Sequence, residues 1–461
     1  MKSCTYIFKK GDKKGTKCTE SCYLTYEFCK KHLNKISGSG SGSGSGDASV
    51  TSGNLKSVSK IITKKLQEDF IKDRILNLET SDSNKVVIFK HYSNMKRTDA
   101  SSTEYYKNQL FVDLCLNYPW NKHFDINTKI AENGHSIVSF LNHLKDRLDV
   151  SIHGMENVKN EILNVVCKFI TNPYSTRNNI ALYGPAGVGK SKFIQVLSEI
   201  LGLPMKTISL GGIKDSSFFL GHGYVYVESG PGKILQNVID SKISNPIIYF
   251  DELDKVSETE HGKDIFSFLC YLTDPTQNHS FSDHYFYGMH FDLSKVFYVF
   301  TFNDIEKIDK ILLDRLNIIK VDCPSENEIV DIVQTHCVPE ITQNVGISKP
   351  IVFDNQNIKF IINFCKDTID KKVTSGIREY YRIIEKVILE INKDILFNAN
   401  VYSTYLLETL NIKPKRTTYN IDYNGEIIKI TENIFQTIFN NIKTQLMSYT
   451  KQNISFSHMY L

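Results

Sequence analysis

Nowhere in the 461 residues does an uninterrupted apolar run approach the roughly 20 residues that span a bilayer. The N-terminus, MKSCTYIFKKGDKKGTK, also lacks the apolar block of a secretory signal, so a cytoplasmic chain with no membrane partner is expected. A large net charge is missing as well: 55 Lys and Arg against 51 Asp and Glu leave +4, which gives no reason to expect a nucleic-acid surface over the main body. No internal repeat is found. With 41% hydrophobic and 23% charged residues, the composition is that of an ordinary globular protein, which sets aside a collagenous or wholly disordered chain. At the usual ~100 to 200 residues per domain, the length suggests about two to four units.

What charge there is gathers at one end. Residues 1–36 hold nine Lys against three acids, which leaves the remainder close to neutral. Four of the ten cysteines, Cys4, Cys18, Cys22 and Cys29, fall in the same stretch, with His32 just behind. Cys4, Cys18, Cys29 and His32 are four soft ligands in a short basic segment, and the Cys29-to-His32 spacing is a short pair of the kind zinc sites use. Cys22 is an alternative to Cys18. In a reducing compartment such a cluster points to metal before disulfides, so residues 1–36 are read as a small zinc-binding module and the one place where nucleic acid could be held. Residues 37–54, beginning SGSGSGSGSG, have almost nothing to bury and read as a flexible linker.

From about residue 55 to 148 apolar residues recur at helical spacing. Short apolar strands alternating with helices follow, which indicates a parallel α/β sheet. The chain turns helical again after Cys323-Pro324, and Tyr423-Asn424-Gly425-Glu426 between apolar runs predicts a hairpin. Gly184-Pro185-Ala186-Gly187-Val188-Gly189-Lys190-Ser191 fits GxxxxGK[ST] between a predicted strand and a predicted helix, the context in which backbone N–H groups turn inward around phosphates. Lys190 is placed to reach the β- and γ-phosphates, and the Ser191 hydroxyl to take one Mg²⁺ position. Sixty residues on, the apolar run Ile247-Ile248-Tyr249-Phe250 ends in Asp251-Glu252. Asp251 is expected to hold the Mg²⁺ shell and Glu252 to polarise the attacking water.

Further segments resemble one family, the ATPase module of Lon-type AAA+ proteins. Phe111 to Trp120, His153-Gly154-Met155-Glu156-Asn157-Val158-Lys159, Ser209-Leu210-Gly211-Gly212, Gly221-His222, Pro231-Gly232-Lys233, Leu272 to Asn278, Phe281-Ser282-Asp283-His284-Tyr285 and Leu312-Leu313-Asp314-Arg315 stand in that family's order. The resemblance covers about residues 105–412. It implies a AAA+ P-loop parallel sheet at 149–322 and a helical lid at 323–400. A helical region at 55–148 would precede them and a C-terminal extension at 401–461 follow. It further implies that Asn303 is the sensor-1 residue, Arg315 an arginine finger acting on a neighbouring subunit, and Arg378 the sensor-2 arginine, with His153 and Gly154 lining the adenine pocket.

An arginine finger acting in trans implies a homo-oligomer, and a hexameric ring is that family's usual form. Tyr226, followed by Val227, aligns with the aromatic residue that grips a protein substrate in the pore. Tyr224 is a neighbouring alternative, because the segment departs from the family's RRTYxG pattern. Too few residues follow Leu410 for the family's peptidase domain, so the expected function is a Mg²⁺-dependent ATPase of chaperone type that remodels proteins without cleaving them. The alternative is a nucleic-acid-associated scaffold or loader using the basic module.

Overall fold

A computed structural model describes residues 70–134, 136–223, 229–368, 376–398, 419, 421 and 425–443. The candidate zinc ligands Cys4, Cys18, Cys22, Cys29 and His32, the Ser-Gly run, and the pore candidates Tyr224, Tyr226 and Val227 lie outside the described residues. One structural unit ends at Ile71, and every element below belongs to the unit that begins at Lys72.

Five strands, β1 (Asn179–Tyr183), β2 (Met205–Ser209), β3 (Ile247–Asp251), β4 (Phe297–Phe302) and β5 (Asn317–Lys320), form one sheet in the order β2-β3-β4-β1-β5. Every pairing in it is parallel. β4 is buried at all six positions and β3 at the first four, because helices cover both faces of the central strands, and their sequences are therefore unbroken apolar runs. The helix Lys190–Leu201 packs on one face through Phe193, Ile194 and Leu197. Phe140, Leu144 and Leu148 of the helix Ile137–Ser151 enter that same core.

The preceding helices Asp82–Arg97 and Thr103–Asn117 start at serine caps, Ser81 and Ser102, whose side chains accept backbone N–H groups that the first turn leaves unpaired. They are fastened to the sheet domain by aromatics: Phe111 lies against Tyr285 and Phe286, and Trp120 stacks on Phe291 while its indole N–H donates to the Cys115 carbonyl. Asn84 adds a two-way bond, donating to the His290 carbonyl and accepting from the His290 N–H.

Past Cys323 lies the helical subdomain, built from Glu326–Ile332, Val338–Val345, Asn355–Thr368 and Ile377–Asn398, with a π-helical turn at Val333–Cys337. Two short strands, β6 (Ile351–Phe353) and β7 (Ile428–Ile430), pair in parallel. Tyr423 and Asn424 of the expected hairpin lie outside the described residues, and β7 finds a partner far back in the chain. Its alternating burial puts Ile428 and Ile430 into the core that also holds Phe353, Ile384, Phe435 and Phe439. Residues 428–442 thus share the lid's core.

Candidate nucleotide site

The site forms where β1, β3 and β4 end, at the carboxyl edge of a parallel sheet, where open α/β folds place ligands. After Tyr183 the chain makes the loop 184–189 and starts the helix at Lys190. Gly187 and Gly189 adopt φ of 77° and 104°, left-handed values that glycine tolerates and that turn consecutive amides inward. Space is as restrictive as angle. A Cβ on Gly184 would stand 2.1 Å from the Val321 carbonyl oxygen, and one on Gly189 would press the Met155 methyl at 3.1 Å. Met155, from the His153-Gly154 segment, thereby touches the phosphate loop.

Lys190 Nζ donates to the carbonyls of Gly184 (2.6 Å) and Pro185 (2.8 Å) and to Asn303 Oδ1 (2.8 Å). The loop lysine and the polar residue after β4 are therefore assembled in one subunit. Burial pulls the Lys190 ammonium down to about 8, while Asp254 and Asp251 favour its charged form and Arg378 opposes it.

Asp251 ends β3 opposite Ser209 of β2, and the Leu210 N–H donates to the Asp251 carbonyl at 2.9 Å. This pairing explains Ser209-Leu210-Gly211-Gly212 physically. A Cβ on Gly211 would lie 2.8 Å from Glu252 Oε2, so glycine leaves room for that carboxylate. Glu252 itself has φ 59° and ψ 47°, a conformation unfavourable for a side chain with a Cβ, of the kind that concentrates at active sites.

Arg378 opens the helix Ile377–Asn398, and its Cβ lies 3.3 Å from where a Cβ on Gly187 would be. A Cβ on Gly376 would stand 2.3 Å from the Ala186 carbonyl oxygen, so the lid rests directly on the phosphate loop. His153 Nε2 stands 3.7 Å from Asp331 Oδ2, and a Cβ on Gly154 would meet Glu328 Oε1 at 2.6 Å, which brings this segment against the lid's first helix.

Arg315 is elsewhere. It precedes β5, whose partner β1 begins at Asn179, and Asn179 Nδ2 donates to the Arg315 carbonyl at 3.4 Å. That is the amino edge of the sheet, separated from Gly184 by the five residues of β1, about 16 Å at ~3.3 Å per residue. The guanidinium is bonded there to Asp274 Oδ2 (2.9 Å) and the Cys270 carbonyl (2.6 Å). Asp274 is held down at about 2, first by hydrogen bonds from Thr276 and less by Arg315.

The remaining motifs build a frame. Asp283 accepts from the Gly232 N–H (2.8 Å) and the Tyr285 N–H (2.8 Å), the His284 N–H donates to the Leu220 carbonyl (2.8 Å), and the His222 N–H donates to the Gly230 carbonyl (3.4 Å). Both ends of the stretch 222–230 are thus tied to Phe281 to Tyr285. Burial raises the Asp283 carboxyl to about 6 against the pull of those N–H groups.

Three site residues escape motif reading. Tyr249 and Thr301 connect Ser191 to Asp251 through hydroxyls, and burial pushes the Tyr249 phenol up to about 12. Asp254 is 6% exposed, and its Oδ1 has no hydrogen-bond partner among the described residues. Tyr249 had a legible signal: it lies two residues before Asp251 and so on the same face of β3. Ser191, Asp251 and the orphaned Asp254 oxygen are hard oxygen donors, which suits Mg²⁺. Among the described residues no group of three or more His, Cys, Asp or Glu forms a metal cluster, and no helix is long and apolar enough to cross a membrane.

A strand–loop–helix phosphate site with an acidic neighbouring strand end and a helical lid defines a P-loop ATPase. Residues 180–322 match the ATPase family associated with various cellular activities (AAA). Over longer stretches the chain is similar to a Lon protease homolog of Acanthamoeba polyphaga mimivirus, 30% identical over 377 residues, which are 77% of this chain and 36% of that protein. It is also similar to Lon protease 1 of Borreliella burgdorferi, 29% identical over 72% of this chain and 39% of that protein, and to Lon protease of Mycoplasma genitalium, 31% identical over 71% and 38%. The chain therefore carries an AAA+ ATPase module of the Lon type. It spans less than half the length of these curated relatives.

Proposed function

We propose that the chain hydrolyses ATP with Mg²⁺ and uses the cycle, as a homo-oligomeric ring, to remodel protein substrates. The observation that carries the ATPase reading is the Lys190 ammonium bonded at once to its own loop and to Asn303, beside a strand ending in Asp251 and a strained Glu252. In this reading the amides of 184–191 and Lys190 hold the phosphates, while Ser191 and Asp251 hold the metal, which supplies charge neutralisation at the phosphate oxygens. Glu252 orients and deprotonates the attacking water, Asn303 fixes it, and Arg378 brings the lid's positive charge onto the loop.

A ring is supported by the place of Arg315 at the opposite edge of the sheet from its own phosphate loop. Hexameric assembly, the Tyr226 and Val227 grip on substrate, and a zinc module at Cys4, Cys18, Cys29 and His32 that selects targets complete the proposal.

The decisive variant is Glu252→Gln. It is expected to bind nucleotide as the wild type does and to lose turnover by about 10²- to 10⁴-fold, the range for removing a general base. Wild-type turnover in Glu252→Gln would overturn the assignment.

A further inference from the structure

Between the phosphate loop and the acidic strand end runs a chain of four oxygens. Ser191 Oγ is 2.9 Å from the Tyr249 hydroxyl, that hydroxyl is 3.1 Å from Thr301 Oγ1, and Thr301 Oγ1 is 2.5 Å from Asp251 Oδ1. The proton directions follow by elimination. An ionised carboxylate only accepts, so Thr301 gives its single proton to Asp251. Thr301 then offers Tyr249 only lone pairs, so the Tyr249 O–H donates to Thr301. The Tyr249 oxygen is left to accept, and the Ser191 O–H must donate to it.

The two ends of this chain differ in setting. Tyr249 is 3% exposed within the sheet, whereas Ser191 is exposed at the head of its helix. Drawing the Ser191 proton inward leaves its lone pairs facing the open side of the loop, the orientation a hard cation requires of a hydroxyl ligand.

We propose that Tyr249 is a positioning residue for divalent-cation binding: its hydroxyl fixes the rotor of Ser191 so that the serine oxygen presents lone pairs to the metal of a metal–nucleotide complex. The inference rests on the nucleotide reading of the same site. Without the phenol oxygen, the Ser191 hydroxyl is free to rotate and to spend its lone pairs elsewhere in the loop. Metal affinity then falls, while the loop amides and Lys190 continue to hold phosphate.

The test uses the full chain and ADP labelled on the ribose with a fluorophore, titrated with Mg²⁺ and separately in excess EDTA. Tyr249→Phe removes one oxygen and keeps the ring in the core. The Mg²⁺ concentration at half-saturation is expected to rise about 3- to 10-fold, the worth of one hydrogen bond, with unchanged affinity in EDTA. Thr301→Val, which cuts the same chain, should shift the midpoint in the same direction, the double variant should shift it no further than the larger single, and Thr301→Ser should keep the wild-type value. An unchanged midpoint in Tyr249→Phe, or an equal loss in EDTA and in Mg²⁺, overturns the inference. If Tyr249→Phe does not fold, the Thr301→Val midpoint decides: a rise supports the inference and an unchanged value overturns it. Wild-type binding with no dependence on Mg²⁺ would instead remove the metal–nucleotide reading beneath it.

Discussion

The two edges of the central sheet are built on opposite plans. At the carboxyl edge, groups from three strands are already joined: Lys190 to Asn303, and Ser191 through Tyr249 and Thr301 to Asp251. At the amino edge Arg315 is also bonded, but to Asp274 and the Cys270 carbonyl rather than to any group of the phosphate site. It lies beside a surface hollow of about 480 Å³ lined by Lys263, Phe266, Ser267, Tyr271 and Asp309. Groups that act together within one chain can be preassembled by folding alone. A group proposed to act on another chain's nucleotide, as Arg315 is here, has to be held near the surface by a bond that can be exchanged.

The largest effect should come from breaking the amino edge. If Arg315 acts as the proposed arginine finger, Arg315→Ala is expected to lower ATP turnover by about 10³-fold or more, while nucleotide binding stays close to wild type. Asp274 keeps its Thr276 bonds, so little stability should be lost. Mixing this variant with Glu252→Gln should recover measurable turnover at boundaries that pair an intact finger with an intact site. No recovery in subunits shown to mix would end the contrast between the edges.

The carboxyl edge is sharpened by pH. Lys190 loses its proton near pH 8, and phosphate is held by the charged form, so nucleotide affinity should fall as pH rises above about 8, approaching tenfold per unit. Stability should not follow. The unfolded lysine keeps its proton to higher pH than the folded one, so between those two values this group makes the fold more stable as pH rises. Binding isotherms and unfolding midpoints measured from pH 7 to 10 separate the two trends.

The smallest effect is a control belonging to neither set of charged groups. Asp283 is raised to about 6, so its neutral form is the one the fold prefers. Its contribution is full below the unfolded value and is lost as pH rises through about 6. Asp283→Asn should flatten that part of the stability curve and leave the nucleotide's Mg²⁺ dependence unchanged. Chemical unfolding at pH 4 to 7 measures it.

The phosphate loop was legible because its glycines, lysine and serine lie in one short stretch, where local sequence dictates local geometry. The acidic strand end was legible because an apolar run stops abruptly at Asp251. For Tyr249 only its place on the same face of β3 as Asp251 was legible; inside such a run a tyrosine looks like core, and only the approach of β4 brings Thr301 to it. Asp254 carried no motif signal, and only its burial, with one oxygen lacking a partner among the described residues, marks it. The parallel pairing of β7 with β6 was also hidden: three residues of alternating burial carry too little pattern to name a partner about 75 positions away.

In the proposed cycle, the contact between Gly376 and the Ala186 carbonyl is where movement of the loop would pass to the lid. No methyl fits between lid and loop, so the joint has no backlash. Behind it stands a helix of 22 residues, a rod of about 33 Å. A tilt of that rod driven by a few tenths of an ångström at its base is multiplied along its length, as by a lever arm whose fulcrum is one glycine.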